Sequence, residues 1–191
     1  MNKPILASIG LLLLAGFFLG GCRVFEPVVD ETRHFTLRTS AQMDFPLAGS
    51  TDDSLYLGAV RLPDFLDNRR VLYREGPRVI SDSQGMWIEP FADGLRAAFV
   101  EEFREQGFAV HRSRPAARRL DITVMRWDAF VDGRIFAEIQ WQAGDQSGTL
   151  AAQASWQRRD IPSLVAAYRE IVHGMTERLL ADLAHTESSD F

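Results

Sequence analysis

The segment from Arg134 to Ala143 alternates strictly between apolar and polar side chains. It directly follows Asp132-Gly133, a dipeptide that is preferred in tight hairpin turns. A period of two places all the apolar side chains on one face of a strand. An antiparallel sheet with one covered and one wetter face has this pattern. The segment therefore predicts a hairpin strand with these inward residues: Ile135, Ala137, Ile139, Trp141 and Ala143.

The neighbouring segments extend this predicted sheet. Residues 120 to 131 form a long strand in which the apolar side chains change phase, so we expect a bulge near Met125. Residues 149 to 157 repeat the alternation and predict a further strand. Earlier in the chain, strands are predicted at residues 34 to 38, 54 to 63, 70 to 74, 78 to 80 and 108 to 112.

Two segments have the spacing of amphipathic helices. Residues 85 to 107 place large apolar side chains four positions apart, with Pro90 suited to the first turn and Gly107 to the end. The second helix is predicted to start from an Asp160 cap, with Pro162 in its first turn, and to continue to about residue 183. We interpret the aromatic stripe of the first helix as core, and the alternative is the wall of a lipid-binding groove.

The order of these elements predicts the fold class. Strands, a helix, a run of antiparallel strands and a second helix are typical of an α+β two-layer sandwich. We expect a mainly antiparallel sheet with both helices packed on one face, in a single domain from residue 34 to residue 185. Residues 186 to 191 are predicted to form a flexible tail.

The first 21 residues have the order of a secretory signal peptide, with Lys3 followed by an apolar run and then by small residues. The uncharged run from Ile5 to Phe18 has 14 residues, whereas a helix needs about 20 to span a bilayer. The run ends at Leu19-Gly20-Gly21-Cys22, which resembles a bacterial lipobox.

This resemblance implies a processing event at the only cysteine of the chain. Cleavage between Gly21 and Cys22 removes residues 1 to 21, and Cys22 then carries diacylglycerol and an N-acyl lipid. Residues 22 to 33 become a lipidated tether. In enteric bacteria, an Asp directly after the lipidated cysteine resembles a signal for retention at the inner membrane. This chain has Arg23 at that position, so we expect an outer-membrane lipoprotein that faces the periplasm. A cysteine within a signal-anchor helix is the alternative.

The remaining composition gives no positive sign of catalysis or of nucleic-acid binding. The net charge of −5 becomes −6 when Lys3 is removed with the leader, which does not indicate a basic stripe for nucleic acid. The histidines are scattered and do not have metal-ligand spacing: His34, His111, His173 and His185. No phosphate-binding or nucleophile motif occurs. We therefore expect no enzyme activity, no metal and no cofactor apart from the lipid on Cys22.

The segments "LGAVRLPDFLDNRRVLYREG" and "MWIEPFADGLRAAF" resemble the ABC-type transport auxiliary lipoprotein family, the paraquat-inducible and YmbA-like envelope lipoproteins. The "AEIQW" strand and the closing helix are similar as well. The family usually has an Asp-Arg pair where this chain has Asp67-Asn68-Arg69. The resemblance implies a docking component that works with a mammalian-cell-entry (MCE) domain protein and its permease to move lipids between two membranes.

On this hypothesis docking is expected through the face and loops around Leu62 to Arg74. The candidate docking residues in this stretch are Leu62, Pro63, Phe65, Leu66, Asp67 and Arg70. Three alternatives stay open. The domain is a carrier that holds a lipid in its own pocket, or an envelope-assembly lipoprotein, or an enzyme in which His111 or His173 meets carboxylates in a cleft. Self-association into a homo-oligomer is compatible with the docking hypothesis.

Overall fold

The computed structural model describes residues 31–39, 54–111, 118–158 and 160–187. The predicted lipidation and cleavage residues, Gly21 and Cys22, lie outside these ranges, as does the end of the predicted tail. The elements follow in this order: β1 (Arg33–Phe35), β2 (Ser54–Arg61), β3 (Arg70–Glu75), β4 (Arg78–Trp87), α1 (Phe91–Glu105), β5 (Ala109–His111), β6 (Arg118–Ala129), β7 (Arg134–Ala143), β8 (Gln146–Ser155) and α2 (Ile161–Glu187).

The described strands form two sheets. The larger has five strands in the order β5-β2-β6-β7-β8, and the smaller has three in the order β1-β4-β3. β6, β7 and β8 pair antiparallel as consecutive hairpins, whereas β2 pairs parallel with both β5 and β6. The chain passes through β3, β4 and α1 before it returns beside β2, and such a crossover allows parallel pairing. The predicted α+β class is confirmed, with a mixed and divided sheet.

The central hairpin has the local features that the sequence predicts. β7 buries the five predicted inward residues, from Ile135 to Ala143. The register of β6 against β7 shifts between Val124 and Arg126, so the bulge near Met125 is confirmed. At the turn, the Gly133 N–H donates to the Phe130 carbonyl at 2.9 Å, and the φ of Gly133 is +95°. That φ lies in the left-handed region, which favours glycine.

Helix α1 is shorter than predicted. It starts at Phe91 after an N-cap at Pro90, because residues 81 to 87 continue strand β4. Proline disfavours the helical conformation of the residue before it, which is Glu89 here. Trp87 therefore lies at the end of a strand, yet it is buried in the same core as the helix stripe. Phe91, Leu95, Phe99 and Phe103 are all buried, which confirms their interpretation as core.

Helix α2 packs on the β8 side of the larger sheet. The Ser163 N–H donates to Asp160 Oδ2 at 3.1 Å, so the predicted cap is confirmed. α2 packs on β8 and on α1, and α1 packs on β2 and β5. Both helices therefore cover one face of the five-stranded sheet. Tyr168 of α2 contacts Trp127 of β6 with ring centroids 5.6 Å apart. Leu164 of α2 is fully buried, and full burial of such an apolar side chain contributes about 1.5–3 kcal/mol.

A short backbone connection joins the smaller sheet to the hairpin of the larger one. Arg74 of β3 forms an isolated parallel bridge with Phe130, and the Val131 N–H donates to the Arg74 carbonyl at 3.0 Å. The Trp156 indole N–H donates to the carbonyl of Phe130 at 3.1 Å. This connection places the loop before β3 beside the end of β6, where the candidate site lies.

Candidate docking site

Five of the six predicted docking residues lie in one loop between β2 and β3, and the sixth, Arg70, is the first residue of β3. The Leu66 N–H donates to the Pro63 carbonyl at 2.9 Å, and the Asn68 N–H donates to the Leu66 carbonyl at 2.7 Å. The Asn68 side chain accepts from the Arg70 N–H at 2.9 Å, which fixes the start of β3. Leu66 is buried and anchors the loop, while the side chain of its neighbour Phe65 is 46% exposed.

The loop forms one wall of a shallow pocket, which we name the Phe65 groove. Its rim carries Phe65, Arg70 and Val79, and Val79 is also 46% exposed. Its floor is made of buried aromatic side chains: Trp87, Phe91, Trp127 and Tyr168. The interior volume is about 20 Å³, enough for about one water molecule. The groove is a surface feature over a filled core.

A buried carboxylate lies at the side of the Phe65 groove. Asp128 of β6 is 6% exposed, and it accepts a hydrogen bond from Nε of Arg74 and another from Nε of Arg126, the latter at 2.6 Å. One carboxylate therefore faces two guanidinium groups, which leaves a local excess of positive charge. The Arg74 guanidinium also lies 5.7 Å from the centre of the Phe65 ring, within the range of a cation–π contact.

An arginine–aromatic cluster continues from Asp128 along the hairpin. The Phe130 and Phe136 rings meet edge to face at 5.8 Å. The Arg126 guanidinium lies 5.2 Å from the Phe136 ring, and that of Arg134 lies 5.5 Å from the Phe130 ring. Arg134 is also paired with Asp132 at 2.7 Å. Arginine and aromatic side chains are enriched at protein interfaces.

Tyr73 belongs to the β3 wall of the groove. Its hydroxyl donates to Asp82, and its ring stacks on Trp156 with centroids 5.5 Å apart. Burial, followed by the Asp82 hydrogen bond, raises the pKa of Tyr73 well above its ordinary value. Burial opposes ionisation of Asp82, but hydrogen bonds from Tyr73 and from the Gln84 and Gly85 N–H groups hold the pKa of Asp82 below its ordinary value. The pair is thus a neutral donor and a charged acceptor.

Among the described side chains, His173 has carboxylate partners. Its Nδ1 lies 2.8 Å from Glu102 of α1, and its Nε2 lies 3.4 Å from Glu177. The side chain is 53% exposed, and the Glu102 hydrogen bond is the main cause that raises the pKa of His173. The geometry is that of an ion pair between two helices. No group of three or more metal-binding side chains is found among the described residues.

The lipid-carrier alternative requires an enclosed apolar space. Two larger depressions of about 320 and 420 Å³ are lined mainly by polar and charged side chains. The first includes Arg38 and Glu89, and the second includes Asp121 and Gln140. Small-molecule sites are mostly apolar and enclose most of their ligand. None of these depressions, nor the Phe65 groove, has that character.

Some members of this site were not identified from the sequence. Val79, Trp127 and Asp128 lie on β4 and β6, outside the stretch from Leu62 to Arg74 around which docking was predicted. The available signal was the spacing of Arg126 and Asp128, because residues two apart share one face of a strand. That spacing identifies a pair of neighbours but not their partner Arg74.

Comparison with protein families gives one match over most of the chain. The family model described as the ABC-type transport auxiliary lipoprotein component matches residues 35–184. No curated protein sequence matches significantly. Neither helix in the described part of the chain has both the length and the apolar character that a membrane span needs.

Solved structures with the same fold have low sequence identity to this chain. An uncharacterised protein has a TM-score of 0.63 at 17% identity, over 80% of this chain and 98% of its own. Protein XCC0632 from Xanthomonas campestris, of the family DUF330, has a TM-score of 0.59 at 16% identity, over 84% of this chain and 99% of its own. These likenesses show the fold alone.

Proposed function

Because this chain belongs to the family of ABC-type transport auxiliary lipoprotein components, we propose that it is a non-enzymatic docking component of an ABC transport system that moves lipids between two membranes. Its partner on this proposal is an MCE-domain protein together with the permease complex. The chain is held at the outer membrane by diacylglycerol and N-acyl lipid on Cys22 and faces the periplasm. Its contribution is to position the partner.

The observation that carries the docking proposal is the Phe65 groove. Two apolar side chains, Phe65 and Val79, are each 46% exposed on the rim of a pocket with a buried aromatic floor. Arginines flank them, and side chains that dominate binding energy at interfaces are enriched in aromatic residues and arginine. The loop that presents Phe65 is held by two backbone hydrogen bonds and by buried Leu66, so it loses little freedom on binding.

The filled core supports docking over storage of a lipid. The residues beneath the groove are packed, with Trp87 and Phe91 ring centroids 5.3 Å apart and Phe91 and Trp127 at 6.1 Å. An interior volume of about 20 Å³ does not hold an acyl chain. A surface that binds another protein needs no such volume.

The proposed anchor makes a weak docking surface effective. Two or more acyl chains give stable membrane attachment where one chain gives reversible binding. A domain confined at one membrane meets a partner that arrives from the other membrane at an increased effective concentration. Cys22 and the tether of residues 22 to 33 thus supply confinement, and the Phe65 groove supplies recognition.

Affinity measurements with the full chain test this function. The chain is purified from membranes in a mild detergent, and its binding to an MCE-domain protein from the same genome is measured by biolayer interferometry. We expect specific binding that Phe65→Ala weakens by about tenfold or more, which corresponds to about 1.4 kcal/mol, because central aromatic residues are among the side chains that dominate binding energy. Ile88→Ala is the matched control, because Ile88 is 51% exposed but does not line the groove. Absence of binding by the unaltered chain contradicts the proposal.

A further inference from the structure

We propose that the Phe65 groove receives a short acidic segment of a partner protein, in which an apolar side chain packs against Phe65 and Val79 and a neighbouring carboxylate pairs with Arg70. This inference rests on the proposed docking function and specifies the chemistry of the partner. Three features carry it: the charge of the groove, a buried donor that has no acceptor, and the concave shape.

The charge of the groove favours an acidic partner. The protein carries a net charge of −5, yet its groove is lined by Arg70, Arg74 and a single carboxylate, Asp128. Asp128 is shared with Arg126 as well, so two guanidinium groups are paired with one carboxylate. The Arg70 guanidinium makes no hydrogen bond or ion pair with any residue in the described ranges. Arg70 is therefore available for a carboxylate of a partner, which suits the fork of guanidinium donors.

The floor of the groove has a hydrogen-bond donor without an acceptor. Trp127 lines the groove, and its indole Nε1 is buried with no partner among the described residues. A buried donor left unpaired costs about 1–3 kcal/mol. The groove that Trp127 lines has an interior volume of about 20 Å³, enough for one small acceptor. An acceptor of a bound segment that reaches this N–H, directly or through one water, would remove this cost.

The shape favours a peptide segment over a bilayer surface. Arg74 and Arg126 are fixed on Asp128, and the remaining cation Arg70 lies on the rim of a concave pocket. Membrane surfaces are recognised by clusters of unpaired basic side chains that face a plane. A groove with a cation that has no partner among the described residues, an apolar rim and a donor in its floor is suited to one apolar side chain and one carboxylate.

Nuclear magnetic resonance of the full chain tests this chemistry without an MCE protein. The chain has four tryptophans, and labelling them with nitrogen-15 gives one indole N–H signal each. Trp127→Phe identifies the Trp127 signal. The probes are the capped peptides Gly-Ser-Asp-Phe-Asp-Ser-Gly and Gly-Ser-Asn-Phe-Asn-Ser-Gly. We expect both to move the Trp127 signal, with the Asp peptide binding about fivefold more tightly, as for a charge-assisted pair at a partly exposed site.

Two variants locate the charge effect. Arg70→Gln is expected to remove the difference between the two peptides without moving the indole signals of the free protein. Arg69→Gln is the matched control, because Arg69 is an exposed neighbour that does not line the groove, and it should preserve the difference. Equal binding of the two peptides, or movement of other indole signals with none at Trp127, overturns the inference.

The outcomes separate this inference from the proposed function. Binding of the MCE-domain protein that needs Phe65, without any effect of Arg70→Gln, overturns the acidic-segment inference and leaves the docking function in place. Peptide binding with no MCE association supports the groove chemistry and contradicts the docking function. Binding to vesicles of phosphatidylglycerol that needs Phe65 and Arg70, with no peptide effect, overturns the inference in favour of a membrane surface.

Discussion

Arg74 and Asp128 form an ion pair that joins the two sheets of the domain. Arg74 lies on β3 of the smaller sheet, and its Nε donates to the buried carboxylate of Asp128 on β6 of the larger sheet. The backbone of Arg74 is bound at the same place by the Val131 N–H at 3.0 Å. The pair holds the wall of the Phe65 groove against its floor, so the shape of the groove depends on it.

Replacement of the carboxylate should destabilise the protein strongly. Asp128→Ala leaves two guanidinium groups without their shared partner, and breaking a largely buried pair on one side costs about 3–5 kcal/mol. Because Arg126 is about half exposed, we expect a loss nearer to about 2–3 kcal/mol in the free energy of unfolding. Urea denaturation followed by tryptophan fluorescence measures it.

The matched control for Asp128 is the exposed carboxylate of the same hairpin. Asp132 pairs with Arg134 at 2.7 Å, with side chains 49% and 63% exposed. Asp132→Ala should lower the free energy of unfolding much less than Asp128→Ala, since an exposed ion pair contributes little and the hydrogen bond that Asp132 Oδ1 accepts from the Arg134 N–H at 3.1 Å is exposed as well. If Asp128→Ala and Asp132→Ala lose similar amounts of unfolding free energy, burial of Asp128 does not explain the loss.

The turn at Gly133 should tolerate no side chain. The φ of Gly133 is +95°, and a Cβ there lies 2.8 Å from the carbonyl oxygen of Trp156. Gly133→Ala is therefore expected to lower the free energy of unfolding by about 1–3 kcal/mol through strain and steric conflict. Gly144→Ala is the control, because Gly144 has a φ of +63° but no atom within 4 Å of the added Cβ. A control loss as large as that of Gly133→Ala would rule out the steric explanation.

The stability of the two-helix layer should depend on pH through His173. Its hydrogen bond with Glu102 raises the pKa of His173 in the folded state above its ordinary value of 6.5. The protonated form thus stabilises the folded state fully below that ordinary value, and this contribution is lost as pH rises through the raised pKa. Thermal unfolding across this range should show a small difference between the unaltered chain and His173→Gln at low pH that disappears at high pH.

Salt provides the control for the His173 effect. The side chain is 53% exposed, so solvent and ions screen the pair. The difference between the two proteins at low pH should shrink in 1 M salt, where the screening length is about 3 Å. A difference that grows with pH instead would contradict the direction of the pKa change.

The anchor prediction concerns residues outside the described ranges. Cys22→Ser is expected to prevent incorporation of labelled palmitate and cleavage of residues 1 to 21, because only a thiol forms the thioether to the glyceryl group. Arg23→Asp tests the membrane address, and it should move the protein from outer-membrane to inner-membrane fractions of a sucrose gradient. Labelled palmitate on Cys22→Ser, or an unaltered distribution of Arg23→Asp, would contradict the respective prediction.

Local periodicity accounts for the parts of the fold that the sequence predicted well. The alternation from Arg134 to Ala143, the bulge near Met125 and the apolar stripe of α2 each depend on neighbours within a few positions. The start of α1 was predicted six residues too early, at residue 85, because Trp87 continues the spacing of the helix stripe although it lies at the end of β4. Trp87 faces the core whether residue 87 is in a strand or in a helix, so the apolar spacing does not distinguish a strand end from a helix start.

The parallel pairings and part of the candidate site depend on long-range contacts instead. Pairing of β2 with β6 brings Leu57 beside Leu120. No pattern in the neighbouring sequence indicates that these two strands pair. The exposed Phe65 and the loop around it were predicted from the family resemblance. The partner of Asp128, Arg74, lies 54 positions away on the other sheet, so only the folded structure identifies it.

Site-specific photocrosslinking in cells tests the central claim most directly. A benzoyl-phenylalanine placed at Phe65 of the full chain contacts whatever occupies the groove, and the same group at Ile88 is the control, since Ile88 is 51% exposed but lies outside the groove. The docking account predicts that irradiation joins the Phe65 variant to the MCE-domain protein or its permease complex, and that the Ile88 variant gives no such product. Equal products at the two positions, or a Phe65 variant crosslinked only to lipid, would contradict it.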